Sequence, residues 1–175
     1  MKTSTAASGS ESLFYFFDAF STHRSFFAIF VNGTKTKFLP VLLDVSKFAI
    51  MVSVFRDKLG FEHCGVYSYI AKLVEKSGLS MDCVNMMFSD KTGILLTNLV
   101  VRSKKSKKID DISKLFIFPA DGAMVAFLLK VPIDVDPASA DRLVLPIAPG
   151  IDASLLVEFI KTSISLAEEK EDKGK

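Results

Sequence analysis

Asp121 stands in the run Phe118-Pro119-Ala120-Asp121, which joins an apolar strand-like segment to an apolar helix-like one. A carboxylate there is either a helix-start device, favoured by the positive end of the helix dipole, or an oxygen ligand for a divalent cation. Asp44 poses the same choice, because it precedes a helical pattern as an N-cap and is also a second carboxylate available to a metal. Asp82 and Asp90 are further oxygen donors. His63, between Gly60 and Gly65 in a segment expected to be a loop, is either a solvated or capping residue or a general base. These residue types suit metal-assisted hydrolysis, with Asp121 and Asp44 as metal ligands and Asp121 and His63 as the catalytic pair. That chemistry requires the side chains to meet, which is a question about the elements that carry them.

The elements are legible from periodicity. Residues 14–20 and 25–31 are phenylalanine-rich and of strand length, and Asn32-Gly33 after them is a strong hairpin signal. A third strand over 35–43 contains Pro40, which cannot donate to a ladder and so predicts an edge or a bulge. From Asp44 the spacing turns helical, with Val45, Phe48, Val52 and Phe55 on one face and Gly60 as the stop. A second helix is predicted over 66–77, presenting Val66, Tyr69, Ile70, Leu73 and Val74 on one face. Strands over 83–88 and 94–102 flank the turn Ser89-Asp90-Lys91-Thr92-Gly93. The apolar strand, the helix carrying Asp121 and a strand entered through Pro132 come next, then a turn at Asp136-Pro137. A last amphipathic helix follows, capped by Asp152, with Leu155, Leu156, Phe159, Ile160 and Ile164 on one face. Strands, two helices, then strands with an inserted helix predict an α+β fold with a mixed, largely antiparallel sheet.

Size and composition bound the rest. At 175 residues with 49% hydrophobic content, the chain has material for one core. Its expected organisation is a disordered lead-in over 1–12, a domain over 13–147, a C-terminal helix over 148–167 and a charged tail over 168–175. The net charge of +2 is too small to imply a polyanion partner, so a nucleic-acid contact must be local. The one concentrated positive feature is Arg102, Lys104, Lys105, Lys107 and Lys108, blunted by Asp110 and Asp111. Such a run either contacts phosphates or keeps a loop solvated, and it has no interleaved aromatic residue on which bases could stack. Cys64 and Cys83 have no metal-ligand spacing and read as reduced, structural thiols. The first twelve residues lack the apolar stretch of a secretory signal, and no apolar run is long enough to span a bilayer. The expectation is a soluble, cytoplasmic protein with no membrane partner.

Three segments, in order, resemble the bacterial and plant bifunctional nuclease family, described as acting on DNA and RNA. Lys37-Phe38-Leu39-Pro40-Val41-Leu42-Leu43 is similar to its strand ending in a Leu-Pro-Ile type motif. The stretch from Met81-Asp82-Cys83-Val84 to Leu99-Val100-Val101-Arg102 is similar to its hairpin closing in a Leu-Val-Ile-Arg type strand. Phe118-Pro119-Ala120-Asp121-Gly122-Ala123 lines up with its Arg-Pro-Ser-Asp-Ala turn, and Val131-Pro132-Ile133 with the strand after it. The likeness covers roughly residues 14–143. It implies a nuclease-like hydrolase of phosphodiesters using Mg²⁺ or Mn²⁺, with Asp121 as the site carboxylate, the basic run on the nucleic-acid backbone, and a homo-oligomer.

The chain also departs from that pattern. Phe118 and Ala120 stand where the family turn has arginine and serine. Asp44 and Lys47 stand where its first helix has glycine and glutamate, and Tyr67 and Ser68 where its second helix has histidine and an acidic residue. The alternative expectation is therefore a non-catalytic oligomeric scaffold or protein-interaction module that kept the fold and lost the site.

Overall fold

A computed structural model describes residues 11–56, 58, 60, 64–103, 116–151 and 155–173. It is an α+β protein whose single eight-stranded sheet has the order β6-β5-β4-β7-β1-β2-β3-β8. The strands are β1 Leu13–Ser21, β2 Phe26–Asn32, β3 Lys37–Leu43, β4 Leu79–Ser89, β5 Ile94–Ser103, β6 Phe116–Ile117, β7 Ile133–Val135 and β8 Leu145–Pro146. Every neighbouring pair is antiparallel except β4 and β7, so the sheet is mixed as the element order predicts. The helices are α1 Val45–Phe55, α2 Val66–Lys76, α3 Pro119–Leu129, the short α4 Ala140–Leu143, and α5 Leu156–Lys173. Among the described residues no helix is long and apolar enough to cross a membrane.

Helices lie on both faces of the sheet. On one, Met51 of α1 and Ala123 to Ala126 of α3 pack with Phe14, Ala28, Phe30, Val84, Met86 and Ile133. On the other, Leu156, Ile160 and Ile164 of α5 pack with Phe20, Ile29, Val31 and Phe38. The period-two alternation of β2 supplies both clusters, which is why Ala28, Ile29, Phe30 and Val31 are all buried. α5 runs to Lys173, into residues read from sequence as a charged tail. Its expected cap Asp152 lies outside the described residues.

The β2–β3 hairpin closes differently from a two-residue Asn-Gly turn. β2 ends at Asn32 and β3 begins at Lys37, two residues later than the pattern suggests. The Asn32 side-chain oxygen accepts from the backbone N–H groups of Thr36 and Lys37 at 2.9 and 3.0 Å, and the positive φ of 54° falls on Lys35 rather than Gly33. The amide side chain holds a wider loop that glycine alone does not define. Pro40 is tolerated because β8 pairs only with Lys37 and Phe38, leaving β3 an open edge beyond them.

Two helix faces turn out rotated from the sequence reading. In α1 the fully buried residue is Met51, while Val45 and Phe55 are exposed. In α2 Val66, Tyr69 and Leu73 are exposed, and Tyr67 and Val74 pack on the core. α3 has no polar face because Gly122 to Ala126 are all buried, so it lies between the sheet and its neighbouring helices. Its close approach needs Gly122, where a Cβ would sit 2.6 Å from Thr97 Cγ2 and 3.1 Å from Val84 Cγ1. Gly122→Ala should therefore destabilise the protein by about 1–3 kcal/mol despite the better helix propensity of alanine. Urea denaturation checks this, and a variant as stable as the parent would show that α3 has room to move off β4 and β5.

Candidate functional site

The first turns of α1, α2 and α3 converge. Asp44 is the N-cap of α1 and its Oδ1 accepts from the Lys47 backbone N–H at 2.9 Å and from the Ser46 hydroxyl at 2.6 Å. Its other oxygen, Oδ2, receives the Lys47 ammonium. That ammonium also lies 3.5 Å from Asp121 Oδ1, in the first turn of α3. The same oxygen accepts a 2.6 Å hydrogen bond from the hydroxyl of Tyr67, in the first turn of α2. One lysine thus joins two carboxylates, and a phenol closes the group. The first turns of three helices, α1, α2 and α3, supply the members of this group.

The ionisation states follow from these contacts. The Lys47 ammonium, then the Ser46 hydroxyl, hold the Asp44 carboxyl well below the usual carboxylate range. Asp44 in turn raises Lys47 above its ordinary value, so the ammonium stays charged. Burial, then the bond to Asp121, push the Tyr67 phenol well above its ordinary range, so it is a donor and not a nucleophile. Cys83 is no nucleophile either, since burial and the nearby Asp134 and Asp82 push its thiol up to about 11.

Beside this cluster lies an apolar cavity of about 860 Å³. Ile70, Leu73 and Val74 of α2 form one wall and Leu79, Met81, Leu99 and Val101 of β4 and β5 the other, with Tyr67, Ser77, Thr97 and Asp121 as polar members. Thr97 is fully buried, and its hydroxyl has no hydrogen-bond partner among the described residues.

Of the sequence candidates, Asp44 and Asp121 are brought together. Asp82 pairs with Arg102 at 2.6 Å and Asp90 with Arg142 at 2.8 Å, away from the cluster. His63, Lys104, Lys105, Lys107 and Lys108 lie outside the described residues. Among the described residues no three His, Cys, Asp or Glu side chains gather as a metal ligand set. Lys47 and Tyr67 entered the sequence reading only as departures from a family pattern, yet they are the residues that join the two carboxylates. Their signal was present: both occupy, without a gap, positions where the resemblance implies site residues. Thr97 carried no signal, since one threonine in an apolar strand is unremarkable by pattern. Searches against protein-family models and against curated proteins find no match to this chain.

Asp44 links pH to stability with a definite sign. Its folded pKa is depressed, so its contribution is present above the unfolded value of about 3.9 and is lost as pH falls through the folded value. Lys47 is raised, so its contribution holds below about 10.4 and is lost as pH rises past the folded value. Asp44→Asn keeps an N-capping side chain and should flatten the acid limb of a plot of Tm against pH. Asp44→Ala should in addition cost about 1 kcal/mol at neutral pH. Equal Tm values for the two variants at pH 7 would show that the cap contributes nothing.

Proposed function

We propose that this chain is a non-catalytic binding module of bifunctional-nuclease-like architecture, whose two carboxylates are bridged from within by Lys47. The carrying observation is the ammonium held between Asp44 and Asp121. Mg²⁺ and Mn²⁺ need several oxygen ligands free to meet one cation. Here Asp44 caps a helix and takes the lysine, while Asp121 takes the lysine and Tyr67. A divalent cation needs several oxygens at once, and the bonds already made leave only Asp121 Oδ2 open, so this donor set does not fit it. Phosphate is poorly served too, since two carboxylates outweigh one ammonium. Arg102, the described member of the basic run, is engaged by Asp82.

The alternative that remains closest to the family resemblance is metal-dependent phosphodiester hydrolysis at Asp121. Incubating double-stranded DNA and single-stranded RNA with the protein and Mg²⁺ or Mn²⁺ should give no cleavage above a chelated control. Metal-dependent cleavage that disappears in Asp121→Ala would overturn the binding-module reading. Reversing the substitution offers a gain-of-function test. The double variant Lys47→Glu, Tyr67→His should bind Mn²⁺ in a calorimetric titration where the parent does not, because it replaces a cation and a phenol with two ligands facing Asp121.

The module reading also carries a homo-oligomer. α5 covers the β1–β3 half of its sheet face, whereas Cys83 and Val100 on the β4 and β5 half belong to neither buried cluster. A second copy would cover such a surface. Light scattering at micromolar concentration should give a mass above that of one chain, and a monomer would count against it.

A further inference from the structure

The geometry points to the cavity between α2, β4 and β5 as a binding site for an amphipathic cation, a molecule with an apolar body and an amine at one end. This inference rests on the reading of the protein as a binding module. A volume of about 860 Å³ is within the range of pockets that enclose small organic ligands, and the walls of Ile70, Leu73, Val74, Leu99 and Val101 offer an aliphatic body nothing but apolar contact.

Charge selects the head group. Asp44 and Asp121 against Lys47 leave one net negative charge, and of these three only Asp121 lines the cavity. Both described contacts to Asp121 fall on Oδ1, which leaves Oδ2 as the acceptor for a ligand donor. An anionic head at the same place would face a carboxylate in apolar surroundings and be repelled. A second polar feature is independent of that cluster. The Thr97 methyl is the branch nearest Gly122, and the hydroxyl of this fully buried lining residue has no partner among the described residues. Phe116 and Phe118, 62% and 78% exposed, also line the cavity and present aromatic faces of the kind that attract a cation.

The test is a calorimetric titration of the full-length protein with dodecylammonium, dodecanol and dodecanoate, each below its micellar concentration. Dodecylammonium should bind saturably at one per chain, and at least about tenfold more tightly than dodecanoate. Asp121→Asn should weaken dodecylammonium by about tenfold and leave dodecanol unchanged. Leu73→Trp fills the cavity from a position 56% exposed, where the larger ring leaves the core intact, and should weaken all three probes. A thermal melt of each variant confirms folding. Absent or non-saturating dodecylammonium binding, equal affinity for dodecanoate, or unchanged binding in folded Leu73→Trp would each overturn the proposal. None of these outcomes bears on the cleavage assay, so the loss of the ligand inference and the loss of the binding-module reading are separate results.

Discussion

The burial of α3 is the constraint on which the rest depends. A helix apolar on all sides has no stable place at a surface, so it must lie between the sheet and other helices. Met124, fully buried, contributes roughly 2 kcal/mol relative to an exposed position, and Val125 a similar amount. That placement is possible only because Gly122 lets the helix backbone reach Thr97 and Val84. Once α3 is there, its first turn fixes Asp121 at the sheet's helical face, and α1 and α2 must present their own first turns to it.

The polar cluster that results is a small electrostatic unit within apolar surroundings. A carboxylate near the core is costly without a partner, and Asp121 has two, a lysine from α1 and a tyrosine from α2. Lys47 in turn ties Asp121 to the cap of α1. The same bonds that stabilise the helix starts occupy three of the four carboxylate oxygens. Structure and chemistry pull in opposite directions at one pair of oxygens, and the bonds already made favour structure.

The rotation of α2 shows the same logic acting at longer range. Its sequence pattern favours burial of Val66, Tyr69 and Leu73, but these are exposed, while Tyr67 packs on the core and its hydroxyl meets Asp121. Val66 and Leu73 line the cavity beside β4 and β5, next to that polar contact.

Local chemistry in the chain determined the elements. Asp44 as a helix cap, Pro40 at an unpaired edge, Gly93 closing the β4–β5 hairpin and Pro119 opening α3 each act through dihedral angles or backbone bonds of their immediate neighbours, and each is readable without a fold. The α+β class followed from the order of those elements. Tertiary structure decided what no local rule encodes: that Lys47 and Tyr67 join Asp44 and Asp121, that Asn32 rather than Gly33 shapes the β2–β3 loop, and that Thr97 is buried beside an open cavity. The physical reason is range. Caps and turns are made within a few residues, whereas the Tyr67–Asp121 bond spans 54 positions and exists only after the sheet has brought three helix starts to one place.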